Sequence, residues 1–113
     1  ECKCGSIKYH FNENDIVTMY CCHCSICRKS SGAVFSALSI VRSKEFEILS
    51  GSEKMIDRGN EYFRQYHCSE CYSWVYGVSV NSLKGVLIPC GTFNEDPKKK
   101  VEFHKYYESR AMD

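Results

Sequence analysis

Ile7, Tyr9 and Phe11 alternate with Ser6, Lys8 and His10, the period of a strand with one buried face. Ile16 to Tyr20 is a second β-prone run, and it leads straight into a cluster of cysteines. After Cys27, the segment Arg28-Lys29-Ser30-Ser31-Gly32 predicts one helical turn that stops at the glycine. Ala33 to Val41 is apolar with serines interleaved and reads as a central strand; Phe46 and Ile48 then alternate towards a turn at Ser50-Gly51-Ser52. Lys54 to Asp57 and Tyr62 to His67 flank Arg58-Gly59-Asn60, which predicts a hairpin. Trp74, Tyr76, Val78 and Val80 keep strict alternation, and Val86 to Ile88 and Val101 to Tyr107 supply two last strands. Short strands separated by frequent turn signals predict a mainly β fold of short antiparallel strands. There is no internal repeat and no low-complexity linker, so a single domain over residues 1–113 is expected.

Composition narrows the function more than the fold. Fifteen Lys and Arg stand against 14 Asp and Glu, a formal charge of +1. No global field attracts a phosphate backbone, and the basic positions Arg28-Lys29 and Lys98 to Lys100 are too few for a binding face; nucleic acid ranks last among partners. Hydrophobic residues at 43% support a packed core rather than a disordered chain. No apolar run reaches bilayer-spanning length and no charged-then-apolar signal segment is present, so no membrane partner and a reduced, cytoplasmic setting are expected.

The chain carries nine cysteines. An odd count fits a closed disulfide framework poorly, and pairs as tight as Cys2-Lys3-Cys4 are strained as disulfides. Cys2-x-Cys4 with Cys68-x-x-Cys71 forms two knuckles distant in sequence, the requirement of a tetrahedral Cys4 zinc site. Such a site would staple the first strand to the Tyr62–His67 strand and supply on the order of 10–16 kcal/mol at neutral pH.

Cys22-x-Cys24-x-x-Cys27 puts three thiolates on one short loop. Two arrangements fit that spacing: a metal with an open fourth position, as in catalytic sites, or a closed structural site completed by Cys21, His23 or Cys90. Cys21 neighbours Cys22 and points to the opposite side of an extended chain, so it is a poor fourth ligand. Cys90 is the stronger rival, although its simplest role is that of a small buried hydrophobe. His23 is expected to face away from the cluster as a hydrogen-bonding neighbour, His104 to sit at the surface, and His10 and His67 at strand edges.

Taken in order, Cys2-x-Cys4-Gly5, Cys22-His23-Cys24-x-x-Cys27-Arg28-Lys29-x-x-Gly32 and Phe63-Arg64-x-Tyr66-x-Cys68-x-x-Cys71 resemble the glutathione-dependent formaldehyde-activating enzyme family, which also contains centromere protein V-like members. The resemblance runs from Cys2 to about Tyr107. It implies a zinc-bound β-tent fold with two zinc ions. One would be a structural zinc on Cys2, Cys4, Cys68 and Cys71; the second would sit on Cys22, Cys24 and Cys27 with an open position. It further implies a carbon–sulfur lyase in which the thiol of glutathione adds to formaldehyde to give S-hydroxymethylglutathione. Three thiolates around a divalent zinc sum to −1, and Arg28, Lys29 and Arg64 are the residues expected to offset that charge or to bind a substrate carboxylate. A zinc-stabilised ligand-binding or chromatin-contact module is the alternative. Two departures from the family pattern stand out. Tyr72 follows Cys71 where the family commonly has Gly, and Gly91-Thr92-Phe93-Asn94-Glu95-Asp96-Pro97 replaces a Gly-Thr-Leu-Asp-Asp-Pro stretch.

Overall fold

The computed structural model describes residues 1–111; Met112 and Asp113, the end of the expected domain, lie outside them. The described chain is mainly β, with strands β1 (Lys8–His10), β2 (Ile16–Cys22), β3 (Ser36–Arg42), β4 (Glu47–Ser50) and β5 (Met55–Asp57). They are followed by β6 (Phe63–Cys68), β7 (Trp74–Ser79), β8 (Ser82–Pro89) and β9 (Phe103–Lys105), and one helix, α1 (Ser25–Ser31), joins β2 to β3. No helix of the described residues is long and apolar enough to cross a membrane.

The strands form two sheets. β1 pairs with β4 alone, and the other seven run in the order β5-β6-β7-β8-β3-β2-β9. The expected hairpin is present: Met55 pairs with Cys68 and Asp57 with Tyr66, across a turn that holds Gly59. One pairing departs from the expected antiparallel pattern. β9 lies parallel to β2, with Tyr20 opposite Phe103 and Cys22 opposite Lys105. A parallel neighbour needs a long return connection, and the stretch from β8 to β9 supplies it.

The last strand shrinks from the expected Val101 to Tyr107 to Phe103–Lys105, and two boundaries around the helix also move. The helix begins three residues before Arg28, because Cys24 serves as its N-cap and accepts the Cys27 N–H on Sγ. It ends as expected at Gly32, whose φ of 73° is a left-handed conformation that glycine adopts without cost. The strand expected from Ala33 starts instead at Ser36, because exposed Ala33, Val34 and Phe35 form the exit from the helix.

Alternation along β2 sorts its side chains between two cores. Met19 packs with Ile16, Val41, Val86 and Ile88, while Tyr20 and Cys22 pack with Cys27, Leu38 and Trp74. Burial on both faces from Met19 to Cys22 marks β2 as an inner strand flanked by β3 and β9. A third core of Cys2, Ile7, Cys68 and Val75 surrounds the first cysteine cluster.

Candidate metal centres

The first centre joins two knuckle turns. The Gly5 N–H closes the first turn onto the Cys2 carbonyl at 3.0 Å, and the Tyr72 N–H closes the second onto Cys68 at 2.9 Å. The residue after each second cysteine is left-handed, Gly5 at φ 78° and Tyr72 at φ 63°. The ligand atoms of Cys2, Cys4, Cys68 and Cys71 lie within 4.8 Å of one another. Cys4 Sγ is 3.7 Å from both Cys2 Sγ and Cys68 Sγ. A tetrahedron with metal–sulfur bonds of about 2.3 Å has edges of about 3.8 Å, so the thiols stand at the spacing such an ion requires. Backbone N–H groups of Ile7 and Glu70 point at Cys2 Sγ and Cys68 Sγ. Burial raises the Cys68 thiol to about 11. Burial also pushes Cys71 up, but hydrogen bonds from Ser73 and the Cys4 backbone outweigh it and bring the thiol down to about 6.

The second centre lies at the end of β2 and the start of α1. Cys22, Cys24 and Cys27 present Sγ atoms within 4.8 Å of one another, and Cys22 and Cys24 are 3.4 Å apart. A seven-residue helix has little stability of its own. Its position is held by the Cys24 cap and by Ser31 and Ser36, whose hydroxyls both donate to the Cys27 carbonyl. Burial pushes Cys27 and Cys22 up; at Cys24 it is outweighed by the Cys27 N–H and by the Cys22 and Cys27 thiols, and the net shift is down. No fourth Cys, His, Asp or Glu joins the group among the described residues.

The rivals for that fourth position have other surroundings. Cys90 packs against the Ile16–Met19 core. Cys21 takes the face of β2 opposite Cys22, as its place in the alternation implied, and Cys90 is its charge neighbour. His23 is buried but turns away from the thiols: its Nε2 is 2.9 Å from His104 Nδ1, and its ring contacts Phe35 and Tyr107. His104 is exposed, as expected, although this pairing ties it to the cluster's flank.

The second centre opens into a cleft of about 350 Å³, at the small end of the range for ligand sites. Its walls are largely apolar, with Tyr20, Leu38, Phe63, Trp74 and Leu87. Its polar positions are Ser30, Arg58, Asn60 and Gln65. The basic residues singled out in the sequence are placed elsewhere. Arg28 Nε donates to the His23 carbonyl at 3.2 Å, and Lys29 is exposed; neither lines the cleft. Arg64 pairs with Asp57 across the hairpin at 3.1 Å, on the strand face opposite Gln65. The cleft's cation is Arg58, which reads in the sequence only as part of a turn. Gln65 carried a signal that went unread: it shares its strand face with Phe63 and is 5% exposed, a polar residue at an inward position.

A mainly β domain with two cysteine clusters that could hold metal, one of them opening into a cleft, is consistent with a zinc-binding β fold. The profile of the glutathione-dependent formaldehyde-activating enzyme family matches residues 1–109, and the chain belongs to that family. It is 35% identical over 66 residues to a Sordaria macrospora protein named as a candidate glutathione-dependent formaldehyde-activating enzyme. That match covers 57% of this chain and 27% of the relative, so the chain spans about a quarter of the length of the curated protein it resembles. A solved crystal structure of a Rhodobacter sphaeroides protein superposes with a TM-score of 0.67 at 14% identity, over 90% of this chain and 95% of that one. That likeness is one of fold.

Proposed function

We propose that the chain is a zinc-dependent carbon–sulfur lyase-type enzyme acting on a small thiol adduct, with glutathione and formaldehyde as the family's reference pair. Cys2, Cys4, Cys68 and Cys71 would hold a structural zinc, and Cys22, Cys24 and Cys27 a second zinc. The observation that carries the reading is the grouping of these last three thiols at an apolar cleft with no fourth protein ligand among the described residues. Zinc bound there would supply a cation that favours the thiolate form of a substrate thiol at neutral pH.

The chain's own residues set the conditions for the reaction. Leu38, Phe63 and Trp74 give the cleft apolar walls, a setting of low polarity that strengthens charge interactions within it. In the forward direction the thiolate sulfur forms a bond to the carbonyl carbon, the C=O π pair moves to oxygen, and that oxygen gains a proton to become a hydroxyl. The reverse direction removes that proton and breaks the C–S bond. A hydroxyl appears or disappears in either direction, and the uncharged polar groups Ser30, on α1, and Gln65, on β6, line the cleft bonded to each other at 3.2 Å.

The test holds the zinc-loaded protein with glutathione and formaldehyde and follows adduct exchange by NMR. Exchange faster than in buffer is expected. No acceleration, with both metals confirmed by elemental analysis, refutes glutathione as the thiol and favours binding without turnover.

A further inference from the structure

The cleft's lining has an uneven charge inventory. Among the described residues that line it there is one cation, Arg58, and there is no Asp or Glu. Arg58 sits in the β5–β6 turn, where its backbone N–H bonds the Gln65 carbonyl at 2.7 Å. Among the described residues its guanidinium has no carboxylate within ion-pair distance.

Gln65 supplies an independent sign of a ligand. The residue is 5% exposed, and its side-chain oxygen is committed to Ser30 Oγ at 3.2 Å and His67 Nε2 at 3.0 Å. The other end of the amide has no partner among the described residues, yet it is not sealed from solvent, as the unpartnered Thr18 Oγ1 alone is among them. It therefore opens onto the cleft that Gln65 lines. His67 Nδ1 lies 3.0 Å from the Tyr72 carbonyl, so this nitrogen carries the proton; a neutral ring then offers Nε2 as an acceptor and would turn the amide round. With either orientation one amide end faces the cleft unpaired. A hydroxyl, which both donates and accepts, satisfies either.

Resting on the thiol-adduct reading above, we infer that the cleft selects a small thiol with one carboxylate and no ammonium group, Arg58 holding the carboxylate and the free end of the Gln65 amide meeting the adduct's hydroxyl. An apolar body between sulfur and carboxylate fits the Phe63, Leu87 and Trp74 walls. A γ-glutamyl peptide brings an ammonium group and a second carboxylate; among the described lining residues no Asp or Glu pairs with the first, and Arg58 is a single cation for two carboxylates. Burying such groups unpaired opposes binding.

Calorimetric titration of the zinc-loaded protein with 3-mercaptopropionate, glutathione and cysteamine tests this. The carboxylate thiol is expected to bind at least as tightly as glutathione and more tightly than cysteamine. Arg58→Gln, in an exposed turn, is expected to raise the Kd for 3-mercaptopropionate about tenfold, with circular dichroism unchanged. Arg64→Gln, which removes a cation outside the cleft, is expected to leave that Kd alone. If glutathione binds far more tightly and Arg58→Gln changes nothing, the inference falls while the thiol reading stands. If neither thiol binds the fully metal-loaded protein, both fall.

Discussion

Replacing one ligand in each cluster separates their roles. Cys4 and Cys68 meet across 64 positions of sequence, and Cys68 is fully buried at the end of β6. Cys22, Cys24 and Cys27 are joined by a loop of a few residues. In the chain-entropy model, a cross-link over a loop that long restricts the unfolded chain by about 4 kcal/mol, and one over about six residues by about 2 kcal/mol. The tie at the first centre also holds the Cys2–Ile7 core against β6 and β7, whereas the second tie joins segments already anchored by β2 and β3. Cys68→Ser should therefore remove metal and at least about 4 kcal/mol, a large share of the roughly 5–15 kcal/mol a domain of this size has in total. Cys24→Ser should remove the second metal and keep the fold, because serine serves the same N-cap position well. Metal content by mass spectrometry, read beside far-UV circular dichroism and urea unfolding, measures both effects. Equal unfolding of the two variants, or a folded Cys68→Ser protein lacking the first metal, refutes the division into a structural and an open centre.

Two further predictions concern the backbone. Tyr72 is held at φ 63° and is largely exposed, so its side chain adds little to offset the strain. Tyr72→Gly should stabilise the metal-loaded protein by about 1 kcal/mol in urea unfolding; an unchanged or lower midpoint refutes the strain argument. Gly51 has φ 87°, and a Cβ there would run into the Ser6 carbonyl oxygen. Gly51→Ala should cost at least about 2 kcal/mol by separating the loop before β4's partner strand from its neighbour, and a loss too small to measure argues against the close approach.

The identity of Tyr72 illustrates how far the chain could be read unaided. Its departure from the family's glycine is plain in the sequence, but the reason glycine suits the position is the left-handed turn that closes the second knuckle onto Cys68. Strand positions were legible for the same kind of local reason: alternation at Trp74 to Val80 and the Arg58-Gly59-Asn60 turn express short-range geometry, and β7 and the β5–β6 hairpin lie there. The Cys24 cap was harder to read, because a cysteine at an N-cap gives no usual capping signal, and α1 starts earlier than the Arg28 turn implied.

Both cysteine groupings were present in the sequence as spacings, because ligands on a tight knuckle are necessarily close in space. Which thiols share a fourth neighbour depends on strands far apart in the chain. Cys90 was as near to the second cluster as any loop could bring it, until the pairing of β3 with β8 carried it to the other core. Charge followed the same rule. Arg28, Lys29 and Arg64 neighbour the motifs in sequence, yet Arg64 is taken up by Asp57, and the hairpin turn delivers Arg58 to the cleft instead. Sequence alone determined the ligand chemistry and the strand periods, which are local properties of the chain. Only the tertiary structure decided which face each strand turns to the cleft, and therefore which residues meet a substrate, because that outcome depends on long-range pairing and on the parallel return of β9 beside β2.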